Sequence, residues 1–310
     1  MNIAAHLPRP IVAILAGALA LGTLAGGAHA QDLKVQHAKG ETTLPSAPRK
    51  VIAFDLASLD TLAALGIEVS GVPTARFPEY LSKYGSDKYE KVGTLFEPNY
   101  EAVSAAEPDL IIVGGRSSAK YVDLAKIAPT IDMTVDPNEY VASVRRNVQI
   151  LGRIFGKQAD ADAQLAKLDK SIADLRQEAS RAGKGLLVLT TGGKMSAYGP
   201  GSRFGLLHSE FGIVPAVEGL ATTNHGQAIN AEFILKTNPD WLFVIDRDTA
   251  TGQNGGAAKK VLDNDLVAQT TAWKKNQVIY LDPVNWYLIG GGLTAMQASV
   301  DQIAKAVAKK

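Results

Sequence analysis

One stretch of this chain is written twice. Glu101, Pro108-Asp109 and Arg116 recur as Glu232, Pro239-Asp240 and Arg247, all at a constant offset of 131 residues. Matching apolar runs, Leu110-Ile111-Ile112-Val113 and Leu242-Phe243-Val244-Ile245, lie between them. A short apolar run bounded by turn residues reads as a strand buried on both faces, the usual state in a parallel sheet. Each unit therefore predicts a helix start, a buried strand and an arginine just past the strand end. Two such α/β units imply a cleft that closes on an anionic ligand.

The remaining pattern fills in around this repeat. Val35 to Val51 suits a strand or hairpin turning at Lys39-Gly40, and Val51 to Phe54 a buried strand. Leu56 to Leu65 reads as a short helix stopped by Gly66, and Asn99 caps a helix starting near Glu101. Strands alternating with short helices indicate a parallel sheet. Val141 to Phe155 is helical, as is Gln158 to Arg181, where Leu165, Leu168, Ile172 and Leu175 share one face. Unbroken, the second of these would extend about 36 Å, and its position between the two units makes it a strut joining them. The second unit opens with a strand at Leu186 to Thr190. A glycine-rich stretch from Gly192 to Gly205 follows and reads as a loop. The Gly199, Gly201, Gly205 spacing is one residue too long for a dinucleotide fingerprint, and Lys194 has no Walker context.

The total charge excludes some partners. With 32 basic and 31 acidic residues there is no excess to form a nucleic-acid footprint. Arg9, an apolar run from Ile11 to Leu24 and Ala28-His29-Ala30 together predict a signal peptide over residues 1–30, cleaved after Ala30. The chain has no cysteine, hence no disulfide, no thiolate metal site and no lipid-bearing cysteine. A freely soluble periplasmic product is expected.

Arg116 and Arg247 fall just past their strands, at the sheet edge where open α/β folds bind ligands, and Arg203 lies in the glycine-rich stretch after another strand. A guanidinium stays charged and presents a planar fork of donors, so three near one edge point to an anion-binding cleft. Glu101 and Glu232 each follow an asparagine by two residues. A first-turn carboxylate favours the helix dipole, but one exposed acid per lobe also suits a basic partner straddling both; the sequence leaves the two readings even. His225 stands in the polar loop Thr222 to Gln227, and Tyr287 precedes Gly290-Gly291-Gly292. No nucleophile elbow or H-E-x-x-H motif occurs, and the histidines are too scattered for a zinc cluster.

Several segments taken in order resemble the periplasmic ferric-siderophore binding proteins of the FatB/CeuE type. They are His37 with Gly40 to Thr43, Pro48 to Val51, Leu62 to Gly66, Val92-Gly93 to Pro98, Glu107 to Ile111, and Trp286-Tyr287-Leu288 with its glycines. The resemblance covers essentially all of the chain after residue 30. It implies an α/β class III periplasmic binding protein, with two Rossmann-like lobes of parallel-rich sheets joined by a single long helix. The corresponding division is a signal peptide at 1–30, an N-terminal lobe at 31–157, a linking helix at 158–181 and a C-terminal lobe at 182–310.

By the same resemblance, Arg116, Arg203 and Arg247 face a negatively charged ferric catecholate siderophore. His225 and Tyr287 complete iron coordination when the siderophore supplies only four donors. Glu101 and Glu232 dock on the permease of an inner-membrane ABC importer. Ferric iron favours six hard donors, so two catecholates, a phenolate and an imidazole satisfy it. No intrinsic cofactor is expected; Fe(III) enters as the siderophore complex, and the protein is expected to be a monomer that is not an enzyme. The alternatives are a haem-binding protein of the same fold, with Tyr and His as axial ligands, or an α/β enzyme using Tyr287 and His225 as acid and base.

Overall fold

Among the five strands from Val51 to Asp132, neighbours pair in parallel, in the order β5-β4-β3-β6-β7. These are β3 (Val51–Ala53), β4 (Gly71–Thr74), β5 (Glu90–Thr94), β6 (Leu110–Val113) and β7 (Thr130–Asp132). A hairpin of β1 (Leu33–His37) and β2 (Gly40–Leu44) precedes them. It is tied to the sheet by Thr42 Oγ1, which donates to the Thr130 carbonyl at 2.7 Å. The strand order reverses between β3 and β6, and the crevice beyond the carboxyl ends at such a reversal is where open sheets receive ligands. The computed structural model describes residues 1–2, 32–253 and 256–308. The expected signal peptide over residues 1–30, with its cleavage after Ala30, thus lies outside the described residues save for Met1 and Asn2. Among the described residues no helix is long and apolar enough to cross a membrane.

The second sheet runs β11-β9-β8-β12-β13, with β10 beside the start of β8. Its strands are β8 (Lys184–Thr191), β9 (Lys194–Tyr198), β10 (Val214–Pro215), β11 (Gln227–Ile229), β12 (Trp241–Asp246) and β13 (Val278–Tyr280). β8, β12 and β13 are parallel, while β9 and β11 run antiparallel. The glycine-rich stretch, expected to be a loop, therefore contains a strand. Gly192 and Gly193, at φ +53° and +78°, make the two-residue turn that folds β9 back on β8. Positive φ at both central residues is what such a hairpin turn demands and what glycine supplies without a Cβ clash.

Alternate residues of the repeated strands enter different cores. Leu110 and Ile112 of β6 join the large cluster that runs through both lobes, while Ile111 and Val113 join a smaller one on the far face of the first sheet. In β12, Phe243 and Ile245 join the large cluster, and Leu242 and Val244 a separate one. Period-two alternation explains why the runs are apolar throughout: both faces of each strand are covered. Each such side chain contributes roughly 1.5–3 kcal/mol on burial.

The repeated Pro-Asp pair sets the register of neighbouring strands. Asp109 Oδ2 accepts from the amides of Arg49 and Lys50, both at 2.9 Å, just ahead of β3. Asp240 Oδ2 accepts from the Lys184 amide at 2.8 Å, at the first residue of β8. In return the Asp109 and Asp240 amides donate to the carbonyls of Lys50 and Lys184. Backbone donors hold the Asp109 carboxyl below its usual range.

The helix Gln158–Ala179 spans 22 residues, about 33 Å. It packs against the helices Tyr140–Ile154 and Leu293–Val307. The last of these also rests on the helix Leu56–Ala64, where Asp60 Oδ2 accepts from the Thr294 amide at 2.7 Å. After β13 the chain thus crosses from the second sheet to helices of the first lobe, and Tyr287 lies on that crossing.

Candidate ligand-binding site

A cavity of about 860 Å³ opens at the carboxyl ends of the two sheets. The first lobe contributes Asp55, just after β3, and Arg116, just after β6. Gly114 precedes that arginine with close packing: a Cβ there would sit 2.9 Å from Asp55 Cγ. The second lobe contributes Arg203 from the loop after β9 and Arg247 directly after β12. Tyr287 comes from a turn of π-helix, Asn285–Ile289, and His225 from the loop before β11.

The three arginines converge on one phenol. Arg203, Arg116 and Arg247 place their Cζ atoms 4.5, 5.1 and 5.7 Å from the Tyr287 ring centre. Arg247 Nε donates to the Tyr287 hydroxyl at 2.8 Å. Arg116 Nη2 and Arg203 Nη2 both donate to the Tyr287 carbonyl, at 2.6 and 2.9 Å, and Arg116 Nη1 donates to the Leu288 carbonyl at 3.3 Å. Arg247 is itself positioned: its Nη1 donates to Thr191 Oγ1 at 2.9 Å, and that hydroxyl donates to buried Asp248 at 3.2 Å. Asp248 also accepts the Gly192 amide at 2.8 Å, so the hairpin turn and the arginine share one anchor.

Charge and burial oppose each other here. Burial pushes the Tyr287 phenol up, but the Arg247 hydrogen bond and the Arg203 and Arg247 charges outweigh it and bring the phenol below its ordinary value. Burial lowers the Arg116 guanidinium, as does the neighbouring Arg203 charge. Three cations held together favour an anion in their midst, either a phenolate or a ligand group.

The expected site residues are thus sorted by the fold. Arg116, Arg203 and Arg247 each contact Tyr287. His225 lines the same cavity but is exposed at its rim and makes no hydrogen bond among the described residues. Glu101 and Glu232 lie outside the cavity, exposed in the first turns of Tyr100–Ala105 and Ala231–Thr237. There Asn99 accepts from Ala102 N and Asn230 from Phe233 N, so the two helix starts are capped alike.

The sequence assigned no site role to Asp55, Tyr140 or Trp286, although Trp286 belongs to the segment that carries the family resemblance; all three also line the cavity. Asp55 follows a buried strand just as Arg116 does, and the same edge rule points to it. Tyr140 and Trp286 sit at the start of a helix and in an apolar segment, where nothing local separates a lining residue from a core one.

Comparison with known proteins places this geometry among binding proteins. Residues 51–284 match the model of the periplasmic binding protein family. The petrobactin-binding protein YclQ of Bacillus subtilis is 43% identical over 284 residues, covering 90% of this chain and 89% of the relative. Its crystal structure superposes with a TM-score of 0.87, covering 90% and 100% of the two chains. The ferric-anguibactin-binding protein FatB of Vibrio anguillarum is 31% identical over 277 residues, 87% of this chain and 86% of the relative. The periplasmic catecholate-siderophore binding protein VctP of Vibrio cholerae has a TM-score of 0.84 at 33% identity, covering 88% and 99%.

Proposed function

The chain belongs to the periplasmic binding protein family, whose members bind substrates rather than transform them, and from that premise we propose that it captures a ferric catecholate siderophore in the cavity between its lobes. The observation that carries the reading is the convergence of Arg116, Arg203 and Arg247 on Tyr287. A ferric bis-catecholate is an anion with two open iron positions. The guanidinium groups offset its charge and also favour the phenolate form of Tyr287, the form that binds Fe(III). His225 supplies the second donor from the rim. The similar proteins YclQ, FatB and VctP, which bind petrobactin, ferric anguibactin and a catecholate siderophore, support this substrate class.

We divide the chain into an N-terminal lobe at 31–157, a linking helix at 158–181 and a C-terminal lobe at 182–310, whose last helix, Leu293–Val307, packs back on the first lobe. Secretion to the periplasm, with cleavage after Ala30, precedes capture. Glu101 and Glu232, exposed at matched helix starts, then dock the loaded protein on an inner-membrane ABC permease. Trp286 lines the cavity and provides the reporter. Titration with iron-loaded bis-catecholate, tris-catecholate, hydroxamate and haem, followed by tryptophan quenching, should show tightest binding for the bis-catecholate. Preference for haem or hydroxamate would overturn the assignment.

A further inference from the structure

We infer that Asp55 is a specificity-determining residue which selects siderophores whose organic backbone carries an ammonium group beside the anionic iron centre. This deepens, and rests on, the ferric-catecholate reading. Asp55 is the only acid among the described residues lining the cavity, and it stands on the wall from which Arg116 projects. One of its oxygens has a local task. Oδ2 accepts the Ser58 amide at 2.8 Å and the Ser58 hydroxyl at 2.7 Å, capping the helix Leu56–Ala64. The other oxygen, Oδ1, accepts no hydrogen bond from any described residue and is not among the fully buried unpaired atoms. Nor does Asp55 pair with Arg116, whose donors go to the carbonyls of Tyr287 and Leu288.

Helix capping alone does not call for a charge at this position. Serine, threonine or asparagine caps a helix about as well as aspartate. A carboxylate against the wall of an anion site also repels a purely anionic ligand. Burial raises the Asp55 carboxyl, and the Ser58 hydrogen bonds and the Arg116 charge counter this only in part. Ionisation there is therefore costly in the empty cavity, and a donor or cation on the ligand offsets the cost. An amine in the backbone of the siderophore matches Oδ1, while the catecholate oxygens meet the arginines that line the same cavity.

The test uses two ferric bis-catecholates with linear linkers of equal length, one carrying a secondary amine and the other a methylene in its place. The full-length mature protein should prefer the amine complex by about 10- to 100-fold, as for a charged hydrogen-bonded pair. Asp55→Asn keeps an oxygen for Ser58 N and removes the charge. It should abolish the preference by weakening the amine complex while leaving the methylene complex equal or tighter. Asp55→Ser, a shorter uncharged cap, should do the same. No preference in the unmodified protein, or equal losses for both complexes in both variants, overturns the role of Asp55 while leaving siderophore capture standing. Binding of neither complex overturns both.

Discussion

Tyr287→Phe isolates the proposed iron donor because the structure leaves everything else about the residue in place. The ring that faces Arg203, Arg116 and Arg247 is retained, and so is the backbone carbonyl that accepts from Arg116 and Arg203. Only the hydroxyl, 2.8 Å from Arg247 Nε, is lost. In the complex that oxygen would be a phenolate bound to iron and hydrogen-bonded to a guanidinium. A hydrogen bond to a charged group contributes about 1.5–3 kcal/mol, so the ferric bis-catecholate should bind at least roughly 10- to 150-fold more weakly. A ferric tris-catecholate already fills six positions and should lose far less. Two further readings separate coordination from mere contact. The visible charge-transfer band of the bis-catecholate complex should shift in the variant. Calorimetry in buffers of different ionisation enthalpy should show a proton released by the unmodified protein at neutral pH and none by Tyr287→Phe. The reasoning is refuted if the band and the proton count are unchanged, or if both complexes weaken equally.

Burial raises the Asp60 carboxyl from 3.8 to about 6, although the Tyr80 hydroxyl and the amides of Thr294 and Ala295 pull it back. The folded protein therefore holds this proton more tightly than the unfolded chain, and stability from this group is full below pH 3.8 and is lost as pH rises to about 6, by about 3 kcal/mol. Asp60→Asn should flatten that part of the pH–melting curve in calorimetry, and an unaltered slope would count against it. Asp109→Ala and Asp240→Ala each remove a carboxylate that accepts strand amides, and should each cost about 0.5–1.5 kcal/mol in urea unfolding, with near-additive effects. A loss confined to one lobe would contradict the shared role. The double variant Glu101→Ala, Glu232→Ala should bind ferric siderophore normally yet fail in uptake by vesicles containing the permease, and normal uptake would leave only the helix-dipole role.

What could be read in advance depended on how local its cause was. Buried strands, capped helix starts and arginines past strand ends follow from a few adjacent residues, and the 131-residue echo doubled each signal. The strand Lys194–Tyr198 was hidden because its composition resembles a loop, while the turn that makes it a hairpin depends on two glycines with positive φ. Asp55 gives no local signal beyond that of a helix cap, since it immediately precedes the helix Leu56–Ala64, and at the end of β8 the chain has Thr191 and Gly192 instead of an acid. The meeting of Arg116 with Tyr287 joins groups 171 residues apart, which only the packing of the last helix on the first lobe decides.

That last contact also explains how a duplicated frame yields an unduplicated centre. Arg116 and Arg247 occupy matched positions, yet Arg116 donates to the Tyr287 and Leu288 carbonyls while Arg247 donates to the Tyr287 hydroxyl. The difference arises because Tyr287 lies where the chain passes from the second sheet to the helices of the first lobe. A residue on that crossing is within reach of both sheet edges at once, so one phenol can receive charge from both lobes without a twin. Symmetry thus places one arginine on each sheet edge, and the crossing segment gathers both, with Arg203, around a single residue.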